Sequence, residues 1–334
     1  MKSLSKFNLL KWLHVFVWVY FTLIFAWAVA HFLLGDHPGW MFVANSLAFY
    51  LFLPLLLVLP VAISMRRWQT WLGTLAIFLL AVFFFGKLFF PWKTASVPAG
   101  QPIAVMTYNV LGYNADPDAV VNTILAANPD VVALQELNPP VAHAIRQRLL
   151  TKYPYQQLDP NNTFFGMGTI SRYPLQLTDE TLPGNWVGTP QIMTLNVAEQ
   201  SVTLLNVHAL ASGIGVFSAL DQSVSERERQ ARAVRDFAQT HTEPLIVTTD
   251  FNSTSMNTSY QIITSTLSDA WMEAGWGPGN TFPALVDAHV PIWAIRIDYI
   301  FYSNQFRAAA AEIRDWDGSS DHRPMLARLV LTDH

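Results

Sequence analysis

Three apolar runs fill the first 90 residues, at about Trp12–Leu34, Met41–Ile63 and Thr70–Phe90. Each reaches the roughly 20 residues that a helix needs to cross a hydrocarbon core of about 30 Å. The runs contain almost no charge, and the breaks between them are short and polar: Gly35-Asp-His-Pro-Gly39, then Arg66-Arg67. Trp12, Trp40, Trp68, Trp71 and Trp92 stand near the run ends, where interfacial aromatics gather. Pro54 and Pro60 should kink the second run, which neighbouring helices can accommodate. A buried helical bundle of a soluble protein would carry more charge than this. Residues 1–93 are therefore expected to be a membrane domain of three transmembrane helices.

Basic residues orient such a domain. Lys2, Lys6, Lys11, Arg66 and Arg67 fall on one side, and Lys87 and Lys93 on the other. The larger group should be cytoplasmic, which after three crossings leaves residues 94–334 extracytoplasmic, at the cell membrane. A rival reading makes the first run a cleaved signal peptide with Ala28-Val-Ala30 as its cleavage box. The apolar run continues through Leu34, which favours an uncleaved span, and both readings place the remainder outside. Residues 94–102 read as a linker stiffened by Pro98 and Pro102. The twelve residues from Pro91 to Pro102 reach at most about 40 Å. There is no cysteine, which excludes disulfides, thiolate metal sites and thiol nucleophiles.

From residue 103 the pattern changes to short apolar strands that each end in a polar residue. In order they are Met106-Thr-Tyr-Asn-Val110, Val131-Val-Ala-Leu-Gln-Glu-Leu137, Leu204-Leu-Asn-Val-His-Ala209, Ile246-Val-Thr-Thr-Asp-Phe-Asn252, Ile297-Asp-Tyr-Ile-Phe301 and Ser320-Asp-His-Arg-Pro324. Asp116-Pro117 and Asn138-Pro139 mark helix starts, with a capping side chain before proline at the first helical position. A charged helix is expected over Gln222–Thr240. Strands outnumber helices and the order is mixed, which fits two sheets packed face to face with helices outside.

The six motifs, in this order, resemble the endonuclease/exonuclease/phosphatase superfamily, whose members include deoxyribonuclease I-like and exonuclease III-like nucleases, inositol polyphosphate 5-phosphatases and neutral sphingomyelinases. The resemblance covers roughly residues 103–330 of a catalytic domain expected over 103–334, and implies a four-layer α/β sandwich with its site at one edge. It implies divalent-metal-dependent hydrolysis of a phosphate ester, with Mg²⁺ or Mn²⁺ held by Glu136, Asn109 and Asp321. By the same resemblance Asp250 orients and deprotonates the attacking water, and Asn252 and His208 hold phosphoryl oxygens. Asn109 organises the metal and the phosphate, while Asp298 fixes the ring of His322, whose charged form stabilises the transition state. Hard oxygen ligands suit such cations, and phosphoryl transfer needs the negative charge neutralised. Two departures stand out: Leu111 replaces the acid that the nuclease branch often carries two positions after the asparagine, and Thr249 replaces the glycine before the aspartate.

Seven of the 20 basic and one of the 24 acidic residues lie in residues 1–100, leaving 13 and 23, a net charge of −10, for the rest. Lys152 is the one lysine there. Proteins that engage nucleic acid use a basic stripe, so nucleic acid is disfavoured as a partner. A lipid bilayer and a lipid-borne or small phosphate ester are the expected partners, with an extracytoplasmic nuclease and a catalytically silent tethered binding module as alternatives. The segments Ala209–Leu220 and Val290–Ile295, the second with Trp293, are unusually apolar loops beside His208 and Asp298.

Overall fold

A computed structural model describes residues 2–65, 67–90, 99–113, 116–211 and 217–332. Arg66, Lys93 and linker residues 94–98 lie outside the described residues, as do 212–216 of the apolar segment after His208. The chain divides into two compact units, Met1–Trp92 and Lys93–His334.

In the first unit, helix α1 (Lys2–Leu34) is followed by α2 (Gly39–Ser46), α3 (Ala48–Leu51), α4 (Leu55–Met65) and α5 (Trp68–Phe89). Three segments are long and apolar enough to cross a membrane: Lys11–Leu34, Ala48–Met65 and Trp68–Phe89. Between 22% and 33% of each is buried within the protein, so most of their apolar surface faces outward. The second segment differs from its expected bounds. Its first residues form the separate α2, because the buried Asn45 ties that helix to the end of α1. The Asn45 amide donates to the Gly35 carbonyl and the Asp36 carboxylate, both at 2.9 Å, and accepts from Trp27 Nε1 at 3.2 Å. A further break falls at residues 52–54, where Pro54 lacks an N–H and disfavours helix in the residue before it.

The second unit contains strands β1 (Gly100–Asn109), β2 (Val131–Gln135), β3 (Tyr155–Asp159), β4 (Met167–Ser171), β5 (Leu175–Leu177), β6 (Gln191–Val197), β7 (Gln200–His208), β8 (Leu245–Asp250), β9 (Ser268–Asp269), β10 (Phe282–Leu285), β11 (Val290–Ile295), β12 (Asp298–Tyr302), β13 (Phe306–Ile313) and β14 (Met325–Thr332). One six-stranded sheet runs β13-β14-β1-β2-β4-β3 and the other β5-β6-β7-β8-β12-β9. Each is mixed, with one parallel pair, β1 with β2 and β7 with β8. Helix α6 (Pro117–Ala127) makes the first parallel crossover and α8 (Phe217–Thr240) the second. Asp116 caps α6 by accepting from the N–H groups of Asp118 and Ala119, and Asn138 caps α7 (Pro139–Leu149) by accepting from Val141 N–H.

One apolar core lies between the first sheet and α6 and α7, built on Val120, Val121, Ile124, Val141 and Ile145. A second lies between the other sheet and α8 and α9 (Thr258–Thr264), with Ala231, Val234, Ile263 and Phe301. Between the sheets, buried apolar side chains such as Val105, Val131, Leu204, Ile246 and Ile300 flank a polar seam. Gln135 donates to Asn206 Oδ1 at 2.7 Å, Asn206 donates to the Gly168 carbonyl at 3.1 Å, and Thr169 donates to Gln191 at 2.9 Å. Each of these buried polar side chains is satisfied by the opposite sheet, which fixes how the sheets register against one another. The apolar segment Val290–Ile295 is not a loop but β11, paired antiparallel with β10 in a hairpin.

Candidate active site

The parallel pairing explains why the motifs converge. Asn109 ends β1 opposite Gln135, the last residue of β2, so Glu136 emerges beside it. In the other sheet His208 ends β7 opposite Asp250, which ends β8, and Asp250 pairs with Asp298, the first residue of β12. Five strand termini thus deliver their side chains to one edge of the sandwich. The segment before β14 supplies Ser320, Asp321 and His322.

Asn109 joins the two sheets. Its amide donates to Glu136 Oε1 at 3.0 Å and to Asp250 Oδ2 at 2.9 Å, and its oxygen accepts from Leu111 N–H at 3.0 Å. Gly112 N–H donates to the other Glu136 oxygen at 3.1 Å. Glu136, Leu111 and Asn252 adopt left-handed backbone, with φ of 56°, 56° and 51°. Non-glycine residues hold that conformation at a cost of about 1–3 kcal/mol each. At Glu136 it turns the carboxylate off the line of β2 towards the neighbouring strand ends. Burial raises the Glu136 carboxyl above its ordinary value, against the hydrogen bonds from Asn109 and Gly112, which lower it.

Asp250 is fully buried and accepts from its own motif partner, the Asn252 N–H, at 3.0 Å. Its other oxygen lies 3.6 Å from Nε2 of both His208 and His322. Burial pushes Asp250 up to about 7, with the Asp298 charge adding to the rise and His322 opposing it. His322 Nδ1 meets Asp298 at 2.9 Å. Burial alone would discharge this ring, but Asp298 and Asp250 outweigh it and hold His322 well above the usual imidazole range. His208 goes the other way, to about 3, through burial and the neighbouring His322 charge. One histidine is therefore held as imidazolium and the other neutral. The Asn252 amide approaches His208 Nε2 at 3.4 Å and donates to the Ala209 carbonyl at 3.1 Å. Asp321 is partly exposed, 3.9 Å from His322.

All eight residues singled out in the sequence meet here: Asn109, Glu136, His208, Asp250, Asn252, Asp298, Asp321 and His322. Thr249, in place of glycine, sits in regular strand opposite Tyr299 with its side chain buried. Leu111 projects no acid into the site, and its left-handed turn instead presents its N–H to Asn109. Trp293 is half-buried, with the Arg323 guanidinium 4.6 Å over its ring and Trp316 packed edge-on at 5.6 Å.

Several supporting groups were not apparent from sequence. Ser320 donates to the Asn109 carbonyl at 2.7 Å and accepts from His322 N–H at 3.0 Å, locking the last motif onto β1. Asp317 accepts from Ser319 and Ser320 N–H groups and from the buried Tyr108 hydroxyl. Arg296, just before β12, is buried in an ion pair with Asp269 at 2.7 Å and stacks 4.4 Å over Tyr299. Serine inside the last motif was the only legible signal among these; the others come from residues remote in sequence.

The donor set suits a hard divalent cation. Four carboxylates, Glu136, Asp250, Asp298 and Asp321, crowd around one imidazolium. Asp250, Asp298 and His322 have ligand atoms within 4.8 Å of one another, but the charged His322 ring has no lone pair to offer a metal, which leaves the ligand role to the carboxylates. Oxygen ligands in excess of local positive charge match the chemistry of hard divalent cations.

A two-sheet α/β sandwich gathers acids, amides and imidazoles at one edge, the groups that phosphate-ester hydrolysis needs. Residues 106–322 match the Endonuclease/Exonuclease/phosphatase family, and the chain belongs to it. Members of that family are phosphoesterase hydrolases. Among solved structures, D. rerio TDP2 complexed with a single-strand DNA product is similar, with a TM-score of 0.55 and 16% identity over 68% of this chain and 98% of that one. The endonuclease/exonuclease/phosphatase from Bacteroides vulgatus gives 0.54 and 20% over 69% and 99%. The human Nocturnin catalytic domain with bound sulfate gives 0.52 and 18% over 71% and 97%. At these identities the likeness is one of fold. Comparison with curated protein sequences returned no significant match.

Proposed function

We propose that this protein is a membrane-anchored, divalent-metal-dependent phosphohydrolase that cleaves a lipid-borne or small phosphate ester on the extracytoplasmic side. The observation that carries the catalytic part is the single cluster formed by Asn109, Glu136, His208, Asp250, Asn252, Asp298, Asp321 and His322. In this reading Asp250 holds the attacking water and takes its proton as the new phosphorus–oxygen bond forms and the ester bond breaks. The neutral His208 and the Asn252 amide donate hydrogen bonds to phosphoryl oxygens. The His322 imidazolium, kept charged by Asp298, stabilises the negative charge that grows on the phosphoryl group. Glu136, with Asn109 and Asp321, would hold Mg²⁺ or Mn²⁺, which when bound neutralises the phosphoryl and leaving oxygens.

The substrate side rests on charge and tethering. The catalytic part carries −10 with one lysine, which gives little attraction for a nucleic-acid backbone. Three apolar helices and a linker of limited reach favour an ester near a bilayer. The five-to-two distribution of basic residues supports the extracytoplasmic side. The catalytic proposal is tested with Glu136→Gln and Asp250→Asn in the full-length protein. Each should lower kcat on bis(p-nitrophenyl) phosphate by orders of magnitude, and Glu136→Gln should also raise the Mg²⁺ needed for half activity. EDTA should abolish turnover and Mg²⁺ or Mn²⁺ restore it. Full activity in chelator, or in both variants, would sink the mechanism.

A further inference from the structure

Among the described residues of the second unit, eleven large hydrophobic side chains are exposed, and six of them border the catalytic cluster in two groups. Tyr113, Phe164 and Phe165, exposed by 61%, 39% and 45%, form one group. Their rings pack together, with centroids 6.4 Å apart for Tyr113 and Phe164 and 4.5 Å for Phe164 and Phe165. This lip is anchored to the site. Gly112, next to Tyr113, donates its N–H to Glu136, and a Cβ at Gly112 would lie 2.5 Å from the Thr163 carbonyl oxygen. Gly166, at its other end, bonds through its carbonyl to Leu137 N–H at 3.0 Å.

Leu285, Val290 and Ile292, exposed by 52%, 46% and 49%, form the second group on the hairpin of β10 and β11. It too is tied to the catalytic edge. Ala284 N–H donates to the Asp321 carbonyl at 3.0 Å, and the Phe282 ring lies 4.8 Å from that of His322. Glu136 thus lies beside one apolar lip, and Asp321 and His322 beside the other.

We propose that the two lips dock together into the boundary between headgroups and acyl chains of a lipid bilayer, seating the catalytic edge on the membrane surface. In purpose the inference rests on the proposed action on a lipid-borne ester and extends it by naming how the site would reach that ester. Two facts select a bilayer as the occupant. The same chain carries three helices apolar enough to span one, and the segment from Pro91 to Pro102 allows at most about 40 Å of separation. The charge of −10 opposes docking by long-range attraction to anionic lipid, so the driving force we assign is burial of apolar surface, which salt does not screen.

The chain has no cysteine, so single replacements can be labelled uniquely. Phe164→Cys and Ile292→Cys report on the lips. Leu125→Cys and Leu150→Cys, exposed at the far ends of α6 and α7, serve as references. Full-length protein carrying an environment-sensitive fluorophore at each site is reconstituted into phosphatidylcholine vesicles. Both lip labels should emit at shorter wavelength and be quenched by brominated acyl chains, at low and high salt alike, while the references stay water-like. Water-like lip labels, or a signal lost in high salt, would overturn the proposal. So would a shift that tracks the protein-to-lipid ratio, which would mark a second copy as the occupant. In a second measurement, the double variant Phe164→Ser, Ile292→Ser should lose turnover of vesicle-borne ester while keeping turnover of bis(p-nitrophenyl) phosphate; equal turnover of both would also overturn docking. Labels seated in the bilayer without turnover of any lipid phosphate would remove the substrate reading and leave docking standing. Lipid turnover with water-like lips would do the reverse.

Discussion

Replacing Asn109 with alanine removes the one side chain that braces a carboxylate in each half of the sandwich. Its amide makes two hydrogen bonds to acids, at 3.0 Å to Glu136 and 2.9 Å to Asp250, and it is buried. A hydrogen bond to a charged group contributes about 1.5–3 kcal/mol. Glu136 is partly open to solvent and can recover some of its loss from water, whereas Asp250 cannot. The pair is therefore worth roughly 3–4 kcal/mol, about 10²–10³ in kcat/KM if both acids must hold their positions. Asn109→Asp separates this from simple truncation. It keeps the shape, turns a donor into a third acceptor facing two acids, and should lose at least as much. The assay is steady-state hydrolysis of bis(p-nitrophenyl) phosphate over a Mg²⁺ series, with a thermal melt of each variant to establish folding. Glu136 without its brace should also need more Mg²⁺ for half activity. A folded Asn109→Ala protein within about threefold of the parent, a change of well under 1 kcal/mol, would refute the bracing argument.

Two other outcomes follow from charge. Asp250 must be ionised to accept a proton, and burial holds it up to about 7, so kcat/KM should climb with pH through that region; a bound cation stabilises the carboxylate, so the acid limb should move to lower pH as Mg²⁺ saturates. His322 must stay protonated, so activity should fall on the alkaline side, and a profile flat between about pH 5 and 9 would contradict both assignments. For orientation, a reporter active only in the cytoplasm and fused after His334 should be silent, and a bright signal would reverse the sidedness and reopen intracellular substrates.

The catalytic cluster was legible because its residues end apolar strands. A polar side chain after four buried ones, as at Glu136 or His208, has few structural reasons to be there, and parallel pairing brings such ends together. The proline-led helix starts were legible because capping is local. What escaped depends on contacts remote in sequence. The Gln135–Asn206 seam joins side chains 71 positions apart, and the Tyr108–Asp317 contact spans 209. The left-handed backbone at Glu136 leaves no mark in composition. Val290–Ile295 reads as a loop, yet the hairpin tolerates Pro291, whose partner Ala284 sends its N–H to the Asp321 carbonyl. The second apolar run extends back to Met41 in hydropathy, which cannot reveal that Asn45 is tied to Asp36.

What the assembled site cleaves separates a lipid or small-ester hydrolase from a nuclease. Full-length protein in vesicles with Mg²⁺ should be given phospholipids, small sugar phosphates and duplex DNA side by side, at low and moderate salt. A lipid or small phosphate ester should be hydrolysed with the higher kcat/KM, and whatever DNA cleavage exists should fade as salt rises. Efficient DNA cleavage at moderate salt, with no turnover across the lipid and sugar-phosphate panel, would contradict the account and make the protein a tethered nuclease.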